Sequence, residues 1–339
     1  MRLGKLRYKS KRGYIMKEKK YDVTALGELL IDFTSNGMSS QGNPLFEANP
    51  GGAPCNVLAM LQKLGRQTAF IGKVGNDIFG KMLRERVQGT GIDISGLVED
   101  EQVNTTLAFV QTFEDGDREF SFYRNPGADM MLTVSDIKEE LIKVSRIFHF
   151  GTLSMTAEGV EAATKRAIEV AKESGCLLSF DPNLRLPLWS SEEKAKEKIS
   201  YGLSVCDILK ISDNEIEFMT GTADIDAGIA QIREKYNIPL VFATLGKDGS
   251  KAYYKDLCVF VKGFANPNTI ETTGAGDTFC ANALNYVLEH GIEDLTEENL
   301  TELLTYANAA ASLITTRKGA LCVMPAKEEI DRYIKDCKC

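Results

Sequence analysis

Asp277 follows directly on a short glycine-rich segment, and this arrangement could transfer a phosphoryl group. Apolar residues recur from Cys280 at the i, i+3, i+4 and i+7 spacing of a buried helix face. The amides of Gly274, Ala275 and Gly276 are therefore predicted at a helix N-terminus, where unpaired N–H groups and the helix dipole favour an anion. Asp277 could take a proton from a hydroxyl beside that anion hole. The alternative is an aspartate that only stabilises the helix dipole.

Further polar side chains are predicted at the ends of strands. Asp32 ends an apolar strand predicted over 22–32, Asn56 stands one turn into the next helix, and Asn183 and Arg185 follow a later strand. In open α/β sheets, ligands bind at the carboxyl ends of the strands. Carboxylate and amide groups suit the hydroxyls of a sugar, although Asp and Asn at strand ends are also common turn formers.

Strand and helix patterns alternate along most of the chain, which predicts a doubly wound, mostly parallel α/β sheet flanked by helices. The later strands are predicted at 67–74, 147–151, 176–181, 207–211 and 239–244, and helices begin near Ala53, Asp77, Ala275 and Thr296. Gly291 is expected to end the helix that begins near Ala275. The Arg-Lys-Gly319 segment is expected to end the helix that begins near Thr296. Parts of 33–50 and 94–124, including a hairpin about residues 114–117, are expected to form a small β-sheet lid.

Composition indicates a globular protein that acts on small molecules. The 339 residues are 43% hydrophobic and 26% charged, and the net charge of −8 argues against nucleic acid or a membrane surface as partner. No run approaches the roughly 18 apolar residues of a membrane helix. Eight scattered cysteines without Cys-x-x-Cys spacing and only two histidines make zinc improbable and fit a reducing cytoplasm.

The N-terminal residues differ from the rest. The first fifteen carry six basic residues and no acidic one, and Met16 then precedes an apolar strand pattern. We interpret residues 1–20 as a disordered leader or as residues that precede the true translation start, with a transit peptide as the alternative. Residues 21–339 are expected to form one domain.

The motifs together resemble the ribokinase (pfkB-type) family of sugar and nucleoside kinases, over about residues 22–325. Thr-Gly-Ala-Gly-Asp277 is similar to the family's anion-hole signature, and Gly51-Gly52 with Asn56 to its N-terminal glycine signature. The resemblance implies a ribokinase-like fold, ATP and Mg²⁺ as cofactors, and Asp277 as the base. It also implies that Asp32, Gly51, Gly52 and Asn56 bind the acceptor sugar.

The resemblance further implies a nucleotide end of the site. Asn214 and Glu217 match an Asn-x-x-Glu motif in which the glutamate orients magnesium through water. The residues expected beside the nucleotide phosphates or adenine are Asn214, Thr244, Gly246, Gly249, Asn308 and Ser312.

One departure concerns a monovalent cation. The family has an aspartate where this chain has Glu271, and in potassium-activated members that aspartate forms a cation loop with the positions of Thr273 and Gly319. A longer carboxylate leaves potassium dependence open.

Within the family the chain resembles fructokinases in two segments. One is the lid segment with Phe122 and Arg124, and the other is the segment with Asn183 and Arg185. The implied reaction is phosphorylation of D-fructose by MgATP at the 6-hydroxyl, with Arg185 near the phosphate path and Arg124 near the acceptor. The alternatives are kinases that act on 2-keto-3-deoxygluconate, on aminoimidazole riboside or on ribose. In the kinases of 2-keto-3-deoxygluconate, a tyrosine typically stands at the position of Phe122. A non-catalytic regulatory protein is more remote. Lid sheets in this family often pair two subunits, so the resemblance implies a homodimer through the lid.

Overall fold

A computed structural model describes residues 19–112 and 118–337, which form two β-sheets with helices on both faces of the larger sheet. Residues 1–18 of the predicted leader therefore lie outside the described residues. The predicted turn at 114–117 lies outside them as well. Over the described part of the chain, no helix combines the length and the apolar character needed to cross a membrane.

The larger sheet confirms the predicted doubly wound arrangement. Its nine strands are β1 (Tyr21–Leu26), β4 (Thr68–Gly75), β5 (Asp93–Asp100), β8 (Ser145–Gly151), β9 (Leu177–Asp181), β10 (Ile208–Ser212), β11 (Leu240–Thr244), β12 (Gly249–Tyr254) and β13 (Leu257–Lys262). They lie in the order β13-β12-β11-β10-β9-β8-β1-β4-β5. The pairs from β11 to β5 are parallel, whereas β12 and β13 add an antiparallel hairpin at one edge.

Helices cover both faces of this sheet. They are α1 (Ala53–Lys63), α2 (Ile78–Gly89), α3 (Glu139–Lys143), α4 (Glu158–Glu173), α5 (Glu192–Val205), α6 (Asp213–Thr220), α7 (Ile225–Tyr236), α8 (Ala275–His290), α9 (Glu297–Ile314) and α10 (Lys327–Asp336). Apolar residues of α1, α8 and α9 form one buried cluster with the sheet, and those of α4, α5 and α7 form another.

The predicted helix signals are mostly confirmed. Asp77 and Thr296 cap α2 and α9 through their side chains, and Gly291 directly follows α8. The expected end of α9 at Gly319 is wrong, because that helix stops at Ile314 and a loop carries the chain onward.

The single strand predicted over 22–32 is two strands. After β1 the chain turns at Gly27, whose α-carbon lies so close to Pro54 that a Cβ there would stand 2.6 Å from the proline ring. The next strand, β2, begins at Leu30 and belongs to the second sheet. Asp32 therefore lies within β2 of the second sheet and does not end a strand of the main sheet. The sequence does not reveal the break, because the apolar run continues across the turn that connects the two sheets.

The second sheet is the predicted lid. It contains β2 (Leu30–Met38), β3 (Pro44–Gly51), β6 (Leu107–Thr112) and β7 (Arg118–Tyr123), in the order β3-β2-β6-β7. Part of the predicted lid segment belongs elsewhere, because β5 pairs in parallel with β4 at the edge of the main sheet.

Strand and helix ends converge at one edge of the main sheet. The strands β9, β10 and β11 end there at Asp181, Ser212 and Thr244, and α6 begins directly after β10. Ser212, Thr244 and the first turn of α8 line a common cleft, and Asp181 pairs with Lys210, which lines it too. This is the edge at which α/β sheets bind ligands.

Candidate active site

A cleft of about 580 Å³ lies between the lid sheet and the carboxyl edge of the main sheet. It is lined by most of the residues singled out from the sequence: Asp32, Gly52, Asn56, Phe122, Asn183, Arg185, Thr244, Gly246, Gly249, Glu271, Thr273, Gly274, Ala275, Gly276, Asp277, Asn308 and Gly319. One cavity therefore collects residues from eight segments of the chain.

The glycine-rich turn and α8 form the centre of the cleft. Gly274 adopts the left-handed conformation (φ 78°), and a Cβ there would stand 2.6 Å from the Cβ of Ala320. The helix begins at Ala275, whose N–H donates to the carbonyl of Thr272 at 3.2 Å. This amide is thus already engaged, and Gly276 presents the more available N–H at the helix N-terminus.

Asp277 is buried in the first turn of α8. Its Oδ2 accepts a hydrogen bond from Asn56 Nδ2 at 2.8 Å, which joins α8 to α1. Burial raises the pKa of Asp277, and the Asn56 amide and the cations of Lys210 and Arg185 oppose that rise. The carboxylate thus combines a fixed orientation with a raised pKa, and both properties suit a proton acceptor.

The acceptor end of the cleft is built by the lid and the start of α1. A Cβ at Gly51 would collide with Oδ2 of Asp32, and a Cβ at Gly52 (φ 125°) would collide with the carbonyl of Glu28. The two glycines are therefore required by different contacts, one with a side chain and one with the backbone. Phe122 adds an apolar wall from β7.

Asp32 shares this end with several charged groups. Burial raises its pKa to about 7, the Arg185 guanidinium acts against the rise, and the carboxylates of Glu271 and Asp277 add to it. The side chain of Arg185 is exposed at the cleft, and Asn183 lines the same wall with a left-handed φ of 44°. Asp32 can therefore change protonation near neutral pH.

The opposite end of the cleft lies at β11, β12 and α9. Thr244, Gly246, Gly249 and Asn308 line it. Asn308 also holds the structure together, because its Oδ1 accepts from Ser250 Oγ at 2.8 Å and its Nδ2 donates to the Val261 carbonyl at 3.0 Å.

Ser312, one turn further along α9, does not line this end. Its hydroxyl donates to the carbonyl of Phe264 at 2.9 Å and lies 3.0 Å from the Tyr333 hydroxyl.

Asn214 and Glu217 do not reach the cleft; both are exposed on α6. Glu215 lies there instead, buried, with Oε1 accepting from Leu184 N and Oε2 from Ser212 N, both at 2.8 Å. The physical reason is a capping box, in which Glu215 at the third helical position turns back towards the N-cap Ser212. The Ser-x-x-Glu spacing directly after a strand could have identified it.

Arg124 is also turned away from the cleft. Its buried guanidinium pairs with Asp129 at 2.7 Å and donates to the Leu153 carbonyl and Thr156 Oγ1, both at 2.9 Å. These contacts fasten the end of the lid to the main body, and they argue against the predicted contact between Arg124 and an acceptor.

Besides Glu215, two buried charged groups that line the cleft, Glu28 and Lys210, were not among the predicted site residues, and neither was the buried Asp181 beside Lys210. Glu28 Oε1 accepts from the Ala53 N–H at 2.9 Å at the start of α1, and burial raises its pKa to about 7. Lys210 pairs with Asp181 at 3.1 Å. The sequence signal for Lys210 is a lone lysine within the apolar strand Ile208–Ser212.

The loop segments that carry Glu271 and Gly319 meet at the cleft. Glu271 Oε1 accepts from the Gly319 N–H at 2.8 Å, and Thr273 lines the cleft beside them. Two of the three positions expected to form a cation loop are thus in direct contact, and the third lines the same cleft.

Residues 20–327 match the pfkB family of carbohydrate kinases. The chain belongs to this family. A probable fructokinase-2 from Arabidopsis thaliana is 42% identical to this pfkB-family chain over 315 residues, which cover 92% of this chain and 95% of the plant protein. The predicted family resemblance is confirmed.

Solved pfkB-type structures share the fold. The fructokinase with bound ATP from Xylella fastidiosa has a TM-score of 0.84 and 29% identity, and the match covers 94% of this chain and 99% of that one. A double mutant of fructokinase from Vibrio cholerae, bound to fructose, ADP and potassium ion, has a TM-score of 0.82 and 29% identity over 94% and 99% of the two chains. The predicted ribokinase-like fold is thereby confirmed.

Proposed function

We propose that this protein transfers the γ-phosphoryl group of ATP to the 6-hydroxyl of D-fructose. The observation that carries the proposal is a cleft lined by Asp277 and the α8 N-terminus, in a chain 42% identical to a probable plant fructokinase over most of its length. A phosphotransferase with an alcohol acceptor needs this pairing of a base with an anion hole.

In the proposed reaction the sugar lies at the lid end of the cleft. Asp32, Asn56 and Asn183 hold its hydroxyls, and Phe122 covers an apolar face of the ring. Asp277 takes the proton of the 6-hydroxyl while the oxygen of that hydroxyl attacks the γ-phosphorus of ATP. As the new O–P bond forms, the bond between the γ-phosphorus and the oxygen that bridges it to the β-phosphate breaks. The N–H of Gly276 and the dipole of α8 stabilise the negative charge on the phosphoryl group in transit. ADP leaves from the end lined by Thr244, Gly246, Gly249 and Asn308.

Magnesium would be held mainly through water. No group of three or more His, Cys, Asp or Glu side chains arranged for a metal ion occurs among the described residues. Mg²⁺ commonly keeps several waters and uses one or two carboxylates together with substrate phosphates. Glu215, fixed by two backbone N–H groups, and Asp213 line the cleft and suit this role better than the exposed Glu217.

A monovalent cation would fit beside Glu271. One oxygen of this carboxylate is held by the Gly319 N–H, which leaves the other for an ion such as K⁺. We expect turnover to be faster in potassium chloride than in tetramethylammonium chloride of equal ionic strength, and Glu271→Gln to abolish the difference. Steady-state rates in the two salts test this, and equal rates for the unaltered protein would contradict it.

The raised pKa of Asp32 predicts a pH dependence. Because burial raises this pKa to about 7, Asp32 becomes protonated as the pH falls through that value and loses the charge that strengthens its hydrogen bonds from sugar hydroxyls. We expect kcat/KM for fructose to fall on the acid side of about 7, and Asp32→Asn to remove this limb from the profile. An acid limb that persists unchanged in the variant would assign it to another group, such as Glu28.

The acceptor is tested by ADP release from MgATP against D-fructose, 2-keto-3-deoxygluconate, ribose, aminoimidazole riboside and glucose. We expect fructose to give the highest kcat/KM. Preference for the keto acid is disfavoured because Arg124, which could otherwise meet a carboxylate, is paired with Asp129. Faster turnover of another acceptor would replace the fructose assignment, and no turnover at all would favour a non-catalytic protein.

The proposed assembly is a homodimer through the lid. Among the side chains of this sheet that the structure describes, four large apolar ones are exposed: Met38, Leu45, Phe46 and Tyr123. Residues of this kind on a small sheet fit a surface that pairs with a second copy. The cytoplasmic location stays a prediction; the seven cysteines within the described residues are all free thiols.

A further inference from the structure

Lys210 is a buried lysine at the centre of the cleft. It lies on β10 with its side chain 8% exposed, and its Nζ stands 3.2 Å from Oδ1 and 3.1 Å from Oδ2 of Asp181. Lysine is almost never buried unless paired, because an ammonium is costly to remove from water. The Asp181 carboxylate provides that pairing at the end of the neighbouring strand β9.

The ammonium of Lys210 also faces the start of α8. A Cβ built on Gly276 would stand 3.1 Å from Lys210 Nζ and 3.5 Å from its Cε. The lysine and the amides of the first helical turn therefore border the same space. A cation and a helix N-terminus that face one space both attract the same kind of ligand, an anion.

Charges around Lys210 keep it protonated. Burial alone would lower the pKa of Lys210, but the carboxylates of Asp181, Glu215 and Asp277 raise it above its usual value, and the Cys280 thiol faces it too. Lys210 in turn opposes the rise in the pKa of Asp277, together with Asn56 and Arg185. A permanent cation thus lies within electrostatic reach of the proposed base.

We propose that Lys210 is a catalytic residue, whose ammonium binds oxygens of the γ-phosphoryl group while that group passes from ATP to the sugar. The inference rests on the proposed function and extends it. An ammonium has three N–H donors, and the pairing with Asp181 leaves capacity for a phosphate oxygen. Lys210 keeps its proton throughout, because the hydroxyl proton goes to Asp277 while the new O–P bond forms and the bond to ADP breaks.

The test compares Lys210→Met and Lys210→Arg with Lys73→Met. Lys73 is a second buried lysine, on β4, paired with Asp136 at 2.9 Å outside the cleft. We expect Lys210→Met to lower kcat by about 100-fold, as loss of one donor to a developing anion does, with fructose affinity kept. Lys210→Arg should recover part of the rate. Lys73→Met should lower the melting temperature and leave kcat unchanged.

A binding measurement separates this proposal from the proposed function. In calorimetric titrations, Lys210→Met should weaken binding of the β,γ-imido analogue of ATP by about 10-fold, the loss expected for a charge-assisted hydrogen bond, and leave AMP binding unaltered. Equal losses for both nucleotides, or a kcat within about threefold of the unaltered protein, would overturn the role of Lys210. Inactivity of the unaltered protein on fructose would overturn the proposed function instead. Should Lys210→Met not fold, the double variant Lys210→Met with Asp181→Asn removes both charges and permits the same titrations.

Discussion

Asp277→Asn should lower kcat by a factor of about 10²–10⁴, the usual contribution of a general base, and leave the affinity for fructose nearly unchanged. The substitution keeps the size of the side chain and an oxygen that can accept from Asn56 Nδ2, which now lies 2.8 Å from Oδ2. It removes the negative charge and with it the capacity to accept the hydroxyl proton. Rates under saturating substrates, with the dissociation constant of fructose from calorimetry, test the expectation.

Asp207→Asn is the matched control for this loss. Asp207 directly precedes β10, at the end of the strand remote from the cleft, where its Oδ2 accepts from the Leu178 N–H at 2.7 Å. We expect this variant to lose some stability and to keep its turnover. If Asp277→Asn retained near-normal turnover, Asp277 would not be the base.

Asp32→Ala should raise the KM for fructose by about 100-fold, because hydrogen bonds between a carboxylate and sugar hydroxyls are charge-assisted and the cleft excludes much of the water that could replace them. The KM for ATP should stay the same, since Asp32 lies on the lid and the expected nucleotide residues lie on β11, β12 and α9. Initial rates with each substrate varied in turn give the two constants.

Two further variants sharpen this result. Gly51→Ala keeps the carboxylate but forces it aside, because a Cβ at this position would collide with Asp32 Oδ2. We expect a smaller rise in the KM for fructose. Glu47→Ala removes an exposed carboxylate from the neighbouring lid strand and should change neither constant. Equal effects of Asp32→Ala on both substrates would indicate a general distortion of the lid.

Sequence signals predicted the ends of helices correctly where residues close together in the chain determine the local structure. The start of α8, the caps Asp77 and Thr296 and the stop at Gly291 depend on residues within one turn of each other. The break at Gly27 could not be predicted in this way. It results from the close approach of Pro54, which is distant along the chain and adjacent only after folding.

The same distinction separates the candidate site residues. Asp277 and Gly276 were identified because their local pattern coincides with their chemistry. The choice between Glu215 and Glu217 depends on which face of α6 meets the cleft; the resemblance to a motif indicates Glu217, which is exposed, whereas Glu215 lines the cleft. Lys210 was missed because its importance comes from two other elements, Asp181 on β9 and the start of α8.

The two sheets carry largely separate parts of the proposed chemistry, although Asn56 and Asn183 contribute to acceptor binding from the main body. Asp32 and Phe122 belong to the lid, whereas Lys210 and Asp277 belong to the main sheet and its helices. The buried Arg124–Asp129 pair is one of the contacts that join the lid to the main body. Replacement of lid residues can therefore change the acceptor preference and leave the residues that handle the phosphate in place. Exchange of whole lids between relatives is for this reason a practical route to kinases with new acceptors.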